Sequence, residues 1–144
     1  MRYKLMNWKT SIIAGVILLL LLTLAHGPSA SAAGHSVTKV TFNPTTPNLL
    51  VHGQDVAVSF NYTTTQQGGV RILVRPFSGT TLTPNSSASG PTMFPMGSGV
   101  GTQHFTIKAG IAVRVDRVRI QMLDANQSVL FSAFLPVYFE FRAP

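Results

Sequence analysis

A chain of 144 residues with eleven basic and four acidic side chains and no cysteine has room for one domain, and several chemistries are excluded at once. Without cysteine there is no disulfide, thiolate metal site, cysteine nucleophile or lipid-modified cysteine. The formal charge of +7 overstates the folded part, because Arg2, Lys4 and Lys9 precede an apolar run; setting them aside leaves eight basic side chains against four acidic, or +4, which suits acidic surfaces such as polyanionic glycans and is weak as a sign of nucleic acid binding.

The chain opens as a secretory signal peptide: the three basic residues, an apolar run over 11–24, then small residues in which Ala30-Ser31-Ala32 matches the A-x-A cleavage pattern. Residues 1–32 are therefore expected to be removed after Ala32, leaving a short flexible segment, 33–36, and a single β-sandwich domain over 37–144. The expected location is secreted or extracellular, with membrane contact only through the signal peptide before cleavage. The alternative is an uncleaved membrane anchor, but a span needs about 20 apolar residues, and His26, Gly27 and Pro28 close this run early.

Past the leader the pattern changes to period two. Residues 37–42 are rich in β-branched side chains and end at Asn43-Pro44, which predicts an edge strand and a turn. Residues 49–51 form a brief second strand, and His52-Gly53-Gln54-Asp55 turns the chain. The cleanest alternation is Val56, Val58, Phe60 and Tyr62, facing inward. A polar loop ending in Gly68-Gly69 leads to a strand with two chemistries, Val70, Ile72 and Val74 on one face, Arg71, Leu73 and Arg75 on the other, stopped by Pro76.

Residues 78–101 are dense in Gly, Ser, Thr and Pro. A structureless loop of that length is uncommon in a compact domain, so a short irregular strand is expected near 92–96, flanked by flexible pieces. Residues 102–108 alternate again, with Phe105 and Ile107 inward. Val113 and Val115 then sit on odd positions while Val118, Ile120 and Met122 sit on even ones; this change of parity predicts a bulge near Asp116-Arg117. Asp124-Ala125-Asn126-Gln127 makes a tight turn, with Asn126 suited to a left-handed conformation. The last strand, 128–141, is apolar on both parities and carries Pro136. No helical period follows the leader.

About seven short strands with turns between them predict an all-β, two-sheet antiparallel sandwich. In the order of its strands at 37–42, 56–62, 70–75, 103–108, 118–122 and 129–141, the chain resembles immunoglobulin-like β-sandwich domains of secreted bacterial proteins. The resemblance is one of architecture. The cysteine pair of antibody-type domains is missing and the single tryptophan, Trp8, lies in the leader, so no functional residue is carried over.

Such a topology places the 70–75, 118–122 and final strands side by side in one sheet. Their outward rows bring Arg71 and Arg75 beside Arg117 and Arg119, and these beside Phe134 and Tyr138. Like charges across strands repel, and two readings offset the repulsion: an anionic or planar ligand gripped by guanidinium groups and stacked on rings, or a solvated face with Asp116 and Glu140 as partners. A second candidate surface is the 78–101 loop, with Met93, Phe94 and Met96 either as apolar contacts or as a plug for the sandwich end.

No catalytic residue, metal site or cofactor is expected. The histidines His35, His52 and His104 are isolated in sequence, the four acids form no close pair, and Gly97-Ser98-Gly99 lacks the strand-to-helix context of a serine elbow. The expected function is a non-catalytic extracellular module that binds a protein or an anionic glycan and no nucleic acid. The alternative is a structural subunit joined to other copies through the apolar last strand, and a hydrolase is a distant third. The oligomeric state stays open.

Overall fold

A computed structural model describes residues 34–90 and 92–144; the expected signal peptide, 1–32, lies outside the described residues. Ten strands and no helix make up the fold among them: β1 (Ser36–Asn43), β2 (Asn48–Val51), β3 (Asp55–Thr64), β4 (Val70–Ser78), β5 (Thr81–Leu82), β6 (Ser86–Ala88), β7 (Met93–Phe94), β8 (Gly97–Ile107), β9 (Val113–Leu123) and β10 (Val129–Arg142). They form a four-stranded sheet in the order β1-β3-β8-β6 and a six-stranded sheet in the order β2-β10-β9-β4-β5, with β7 also pairing β4. This is the two-layer sandwich that the alternation predicts, in the immunoglobulin-like arrangement that the resemblance implies, with β4, β9 and β10 adjacent.

The core forms where the inner rows meet. Val56, Val58, Phe60 and Tyr62 of β3 are buried against Val70, Ile72 and Val74 of β4 and Val118, Ile120 and Met122 of β9, all at 5% exposure or less. Aromatic edges fill the space between sheets, with Phe105 and Phe139 ring centroids 6.0 Å apart and Phe60 and Phe94 5.7 Å apart. One polar side chain joins this row: Gln103, 2% exposed, donates from Nε2 to the Ile72 carbonyl at 3.0 Å. It supplies a donor to β4 between the short stretches covered by β5 and β7, where a buried carbonyl would otherwise go unmet.

Several expectations are corrected. The strand count is ten rather than about seven, because the 78–101 segment holds three strands of two or three residues, β5, β6 and β7, and β8 begins at Gly97 rather than at 102. The sandwich is not wholly antiparallel: β2 pairs β10 in parallel through Asn48, Leu49, Leu50 and Val51. The 33–36 segment is not free along its length, since His35 is buried, with Nδ1 2.9 Å from Thr64 Oγ1, and Ser36 already belongs to β1. In the hairpin between β9 and β10 the left-handed residue is Gln127, not Asn126. Asp124 Oδ1 sets that geometry by accepting the Asn126 and Ser128 amides, each at 2.8 Å.

The change of parity in β9 sits where it was expected. From Arg117 to Val115 the strand advances two residues while β10 advances three, from Pro136 to Phe139. The extra residue therefore lies on β10, opposite Asp116. Thr46 secures the irregular stretch: its Oγ1 accepts the Tyr138 amide at 2.7 Å and donates to the Tyr138 carbonyl at 3.3 Å.

Candidate functional site

The outer face of the six-stranded sheet gathers the arginines because β4 and β9 bury their opposite rows. Cross-strand register sets Arg75 opposite Arg119 and Phe77 opposite Arg117, while Arg119 in turn faces Phe134 on β10. The structure thus brings Arg75, Arg117, Arg119 and Phe134 together as expected. It adds Phe77, only 7% exposed although it lies on the outer row.

Phe77 organises the middle of the face. Its ring meets Phe134 edge-on at 5.2 Å, and the Arg119 guanidinium lies 4.9 Å from its centroid. The Arg117 guanidinium lies over Phe134 at 5.7 Å, and its Nε is 3.4 Å from Asp116 Oδ1. Ring faces are electron-rich, so these two cations are held from within the chain. Burial, and then the neighbouring Arg75 charge, lower the Arg119 pKa.

The other end of the face is different. Arg71 and Arg75 line a groove of about 270 Å³ with Leu73, Ser89, Leu123 and Gln127. Arg71 Nε is buried and meets no acceptor among the described residues; the same holds for Arg119 Nε, but the Arg119 guanidinium lies over the Phe77 ring and Arg71 has no such ring contact among them. The chain's acids are engaged elsewhere: Asp116 Oδ2 accepts the Gly79 amide at 2.8 Å, Asp124 caps its hairpin, and Glu140 pairs with Arg142 at 2.7 Å. Asp55 begins β3, on the other sheet. The expectation that Asp116 and Glu140 neutralise the arginine rows therefore holds only for Arg117.

A further groove, about 670 Å³, opens at the far end of the same face, lined by Ser78, Gly79, Arg114, Asp116, Tyr138 and Glu140. Tyr138 is therefore separate from the Arg71 groove, and its cation is Arg114, 5.7 Å from the ring centroid.

Of the three residues on the 78–101 segment, Phe94 takes the plug reading and not that of a surface contact: it is 7% exposed and packs on Phe60 and Tyr62. Met93 and Met96 remain at the surface. Among the described residues no group of three or more His, Asp or Glu side chains could hold a metal ion. Neither groove contains a histidine.

Sequence reasoning missed Phe77 and Gln103. The signal for Phe77 was present, because it shares the parity of Arg71, Leu73 and Arg75 beyond Pro76. Gln103 also shares the parity of Phe105 and Ile107, and only its polarity argued against the core.

No protein-family model matches the chain, and no curated protein matches it. Among solved structures, the fold is similar to that of a Niemann-Pick type C2 protein from Japanese carpenter ant, with a TM-score of 0.52 over 80% of this chain and 98% of that one, at 8% sequence identity. A likeness at that identity is one of fold: both chains stack two sheets in an immunoglobulin-like sandwich.

Proposed function

We propose that this chain is an exported, non-catalytic binding module that takes an anionic group of an extracellular glycan, a sulfate or a carboxylate, in the groove between Arg71 and Arg75. The observation that carries this reading is the buried Arg71 Nε–H, with no acceptor among the described residues, in a groove that a second guanidinium, Arg75, also lines and whose lining holds no acidic side chain. A buried donor to a charged acceptor is incomplete until the acceptor arrives. Leu73 and Leu123 give the groove an apolar part of its lining and Gln127 a neutral hydrogen-bonding group, while the Ser89 hydroxyl is committed to the His104 backbone.

The test is calorimetric titration of the protein with a heparin-derived tetrasaccharide at several salt concentrations. Binding should weaken as salt rises. An Arg71→Gln/Arg75→Gln variant should lose tenfold or more, since a charge-assisted hydrogen bond contributes about 1.5–3 kcal/mol. Unchanged affinity in that variant contradicts the proposal.

A second reading, assembly with further copies of the chain, is favoured by one observation. β2 pairs β10 only from Phe139 to Arg142, so the same edge of β10 from 129 to 137 has no strand neighbour among the described residues. Pro136 within that edge and the Thr46 bonds to Tyr138 blunt it. Light scattering that gives a monomer mass at every concentration removes this reading.

A further inference from the structure

We propose that the groove between Tyr138 and Asp116 is a separate site for the ring of an uncharged, hydroxyl-rich sugar. The inference goes beyond the anionic site and does not depend on it, because the Arg71 groove shares no lining residue with this one.

Three features define the ligand. The first is a platform: Tyr138 is 44% exposed, with the Arg114 guanidinium 5.7 Å from its ring centroid. An exposed aromatic on a loop would lose freedom on binding, but Tyr138 has both backbone groups bonded to Thr46 Oγ1 and is fixed in advance. The second is a set of acceptors. Asp116 Oδ2 is occupied by the Gly79 amide, whereas Asp116 Oδ1 is buried and has only the 3.4 Å approach of Arg117 Nε, too long for a strong bond. Glu140 Oε1 is taken by Arg142, which leaves its second oxygen for a donor. The third is the charge balance: Arg114 opposes a cation and the two carboxylates oppose an anion, so the fitting ligand is neutral.

A pyranose ring meets all three requirements. Its C–H face lies on an aromatic ring, and the hydroxyls at its rim donate to carboxylates and accept from a guanidinium. The groove volume of about 670 Å³ exceeds that of the anionic groove and leaves space for more than one sugar.

The experiment is a ¹⁵N–¹H NMR titration of the protein with cellohexaose and, separately, chitohexaose, both uncharged. At least one should shift the Gly79, Arg114 and Tyr138 amides in a saturable way. Tyr138→Ala should weaken that binding about tenfold or more, Tyr138→Phe should retain it, and Asp116→Asn, which keeps an acceptor for the Gly79 amide, should weaken it severalfold. The Arg71→Gln/Arg75→Gln variant should bind the neutral sugar as the parent does, so failure of the anionic site and failure of this one are told apart. The proposal is overturned if neither hexasaccharide moves these amides, if Tyr138→Ala binds as tightly as the parent, or if the shifts fall on the Arg71 groove.

Discussion

Two stretches of one sheet face carry the same residue type and treat it in opposite ways. Around Phe77, Arg119 and Arg117 lie over aromatic rings, and Arg117 also reaches a carboxylate. Around Leu73, Arg71 and Arg75 line a groove with no ring and no acid among its lining residues; the Nε–H of Arg71 and that of Arg119 are both buried without an acceptor among the described residues, but only Arg119 has its guanidinium over a ring. Counting arginines would rank the two ends equally. What separates these two ends is whether the chain itself provides a counter-group: Arg117 and Arg119 have a ring or a carboxylate from within, and Arg71 and Arg75 have neither and are left to a ligand.

Mutations can break that contrast from either side. The largest effect is expected for Phe77→Ala, which removes a buried ring shared by Phe134 and Arg119 and should cost about 3 kcal/mol in urea unfolding. Anion binding by the folded variant should persist, because the Arg71 groove does not contain Phe77; loss of binding would show that the two ends are coupled. Next comes Gln103→Leu, which leaves the Ile72 carbonyl without its donor and should destabilise by about 1–3 kcal/mol. Its destabilisation, read in the same unfolding assay, tests whether the floor under the anionic groove relies on this bond between sheets.

Smaller effects sharpen the comparison. Arg75 and Arg119 are directly opposed across β4 and β9, and after burial the Arg75 charge is what makes the Arg119 charge less favourable. Arg75→Thr should therefore stabilise the fold by about 0.5 kcal/mol while weakening anion binding, a trade that a merely solvated arginine would not show. Arg117→Gln should change stability least, by less than about 0.5 kcal/mol, since its pair with Asp116 is partly exposed, and should leave anion affinity within about twofold.

Period-two alternation made much of the fold legible. The rows at Val56, Val70 and Val118 each bury one parity, and the parity change at Asp116 located the irregular pairing with β10. Adjacency of β4, β9 and β10 followed from the architecture, and with it the meeting of Arg75, Arg119 and Phe134. Strands of two or three residues have no period to detect, which is why β5 and β6 are hidden in the sequence, whereas β7 falls within the short irregular strand expected near 92–96. The first part of β8 was hidden for another reason: Gly99 and Gly101 carry no hydrophobic signal, yet a Cβ at Gly101 would lie 2.6 Å from the Phe60 ring, so the strand needs glycine there to let the rings close. Within the site, the arginines' outward direction was legible. Their division between rings and a groove without rings was not, because it depends on the cross-strand register that sets Phe77 opposite Arg117 and Arg119 opposite Phe134.

The most direct test observes the guanidinium groups themselves. In a ¹⁵N–¹H spectrum of arginine Nε–H resonances recorded during titration with the heparin-derived tetrasaccharide, the Arg71 and Arg75 signals should shift first and saturate together while Arg117 and Arg119 stay close to their starting positions. Shifts led by Arg117 or Arg119, or no shift at Arg71 at saturating ligand, would contradict the division of the face.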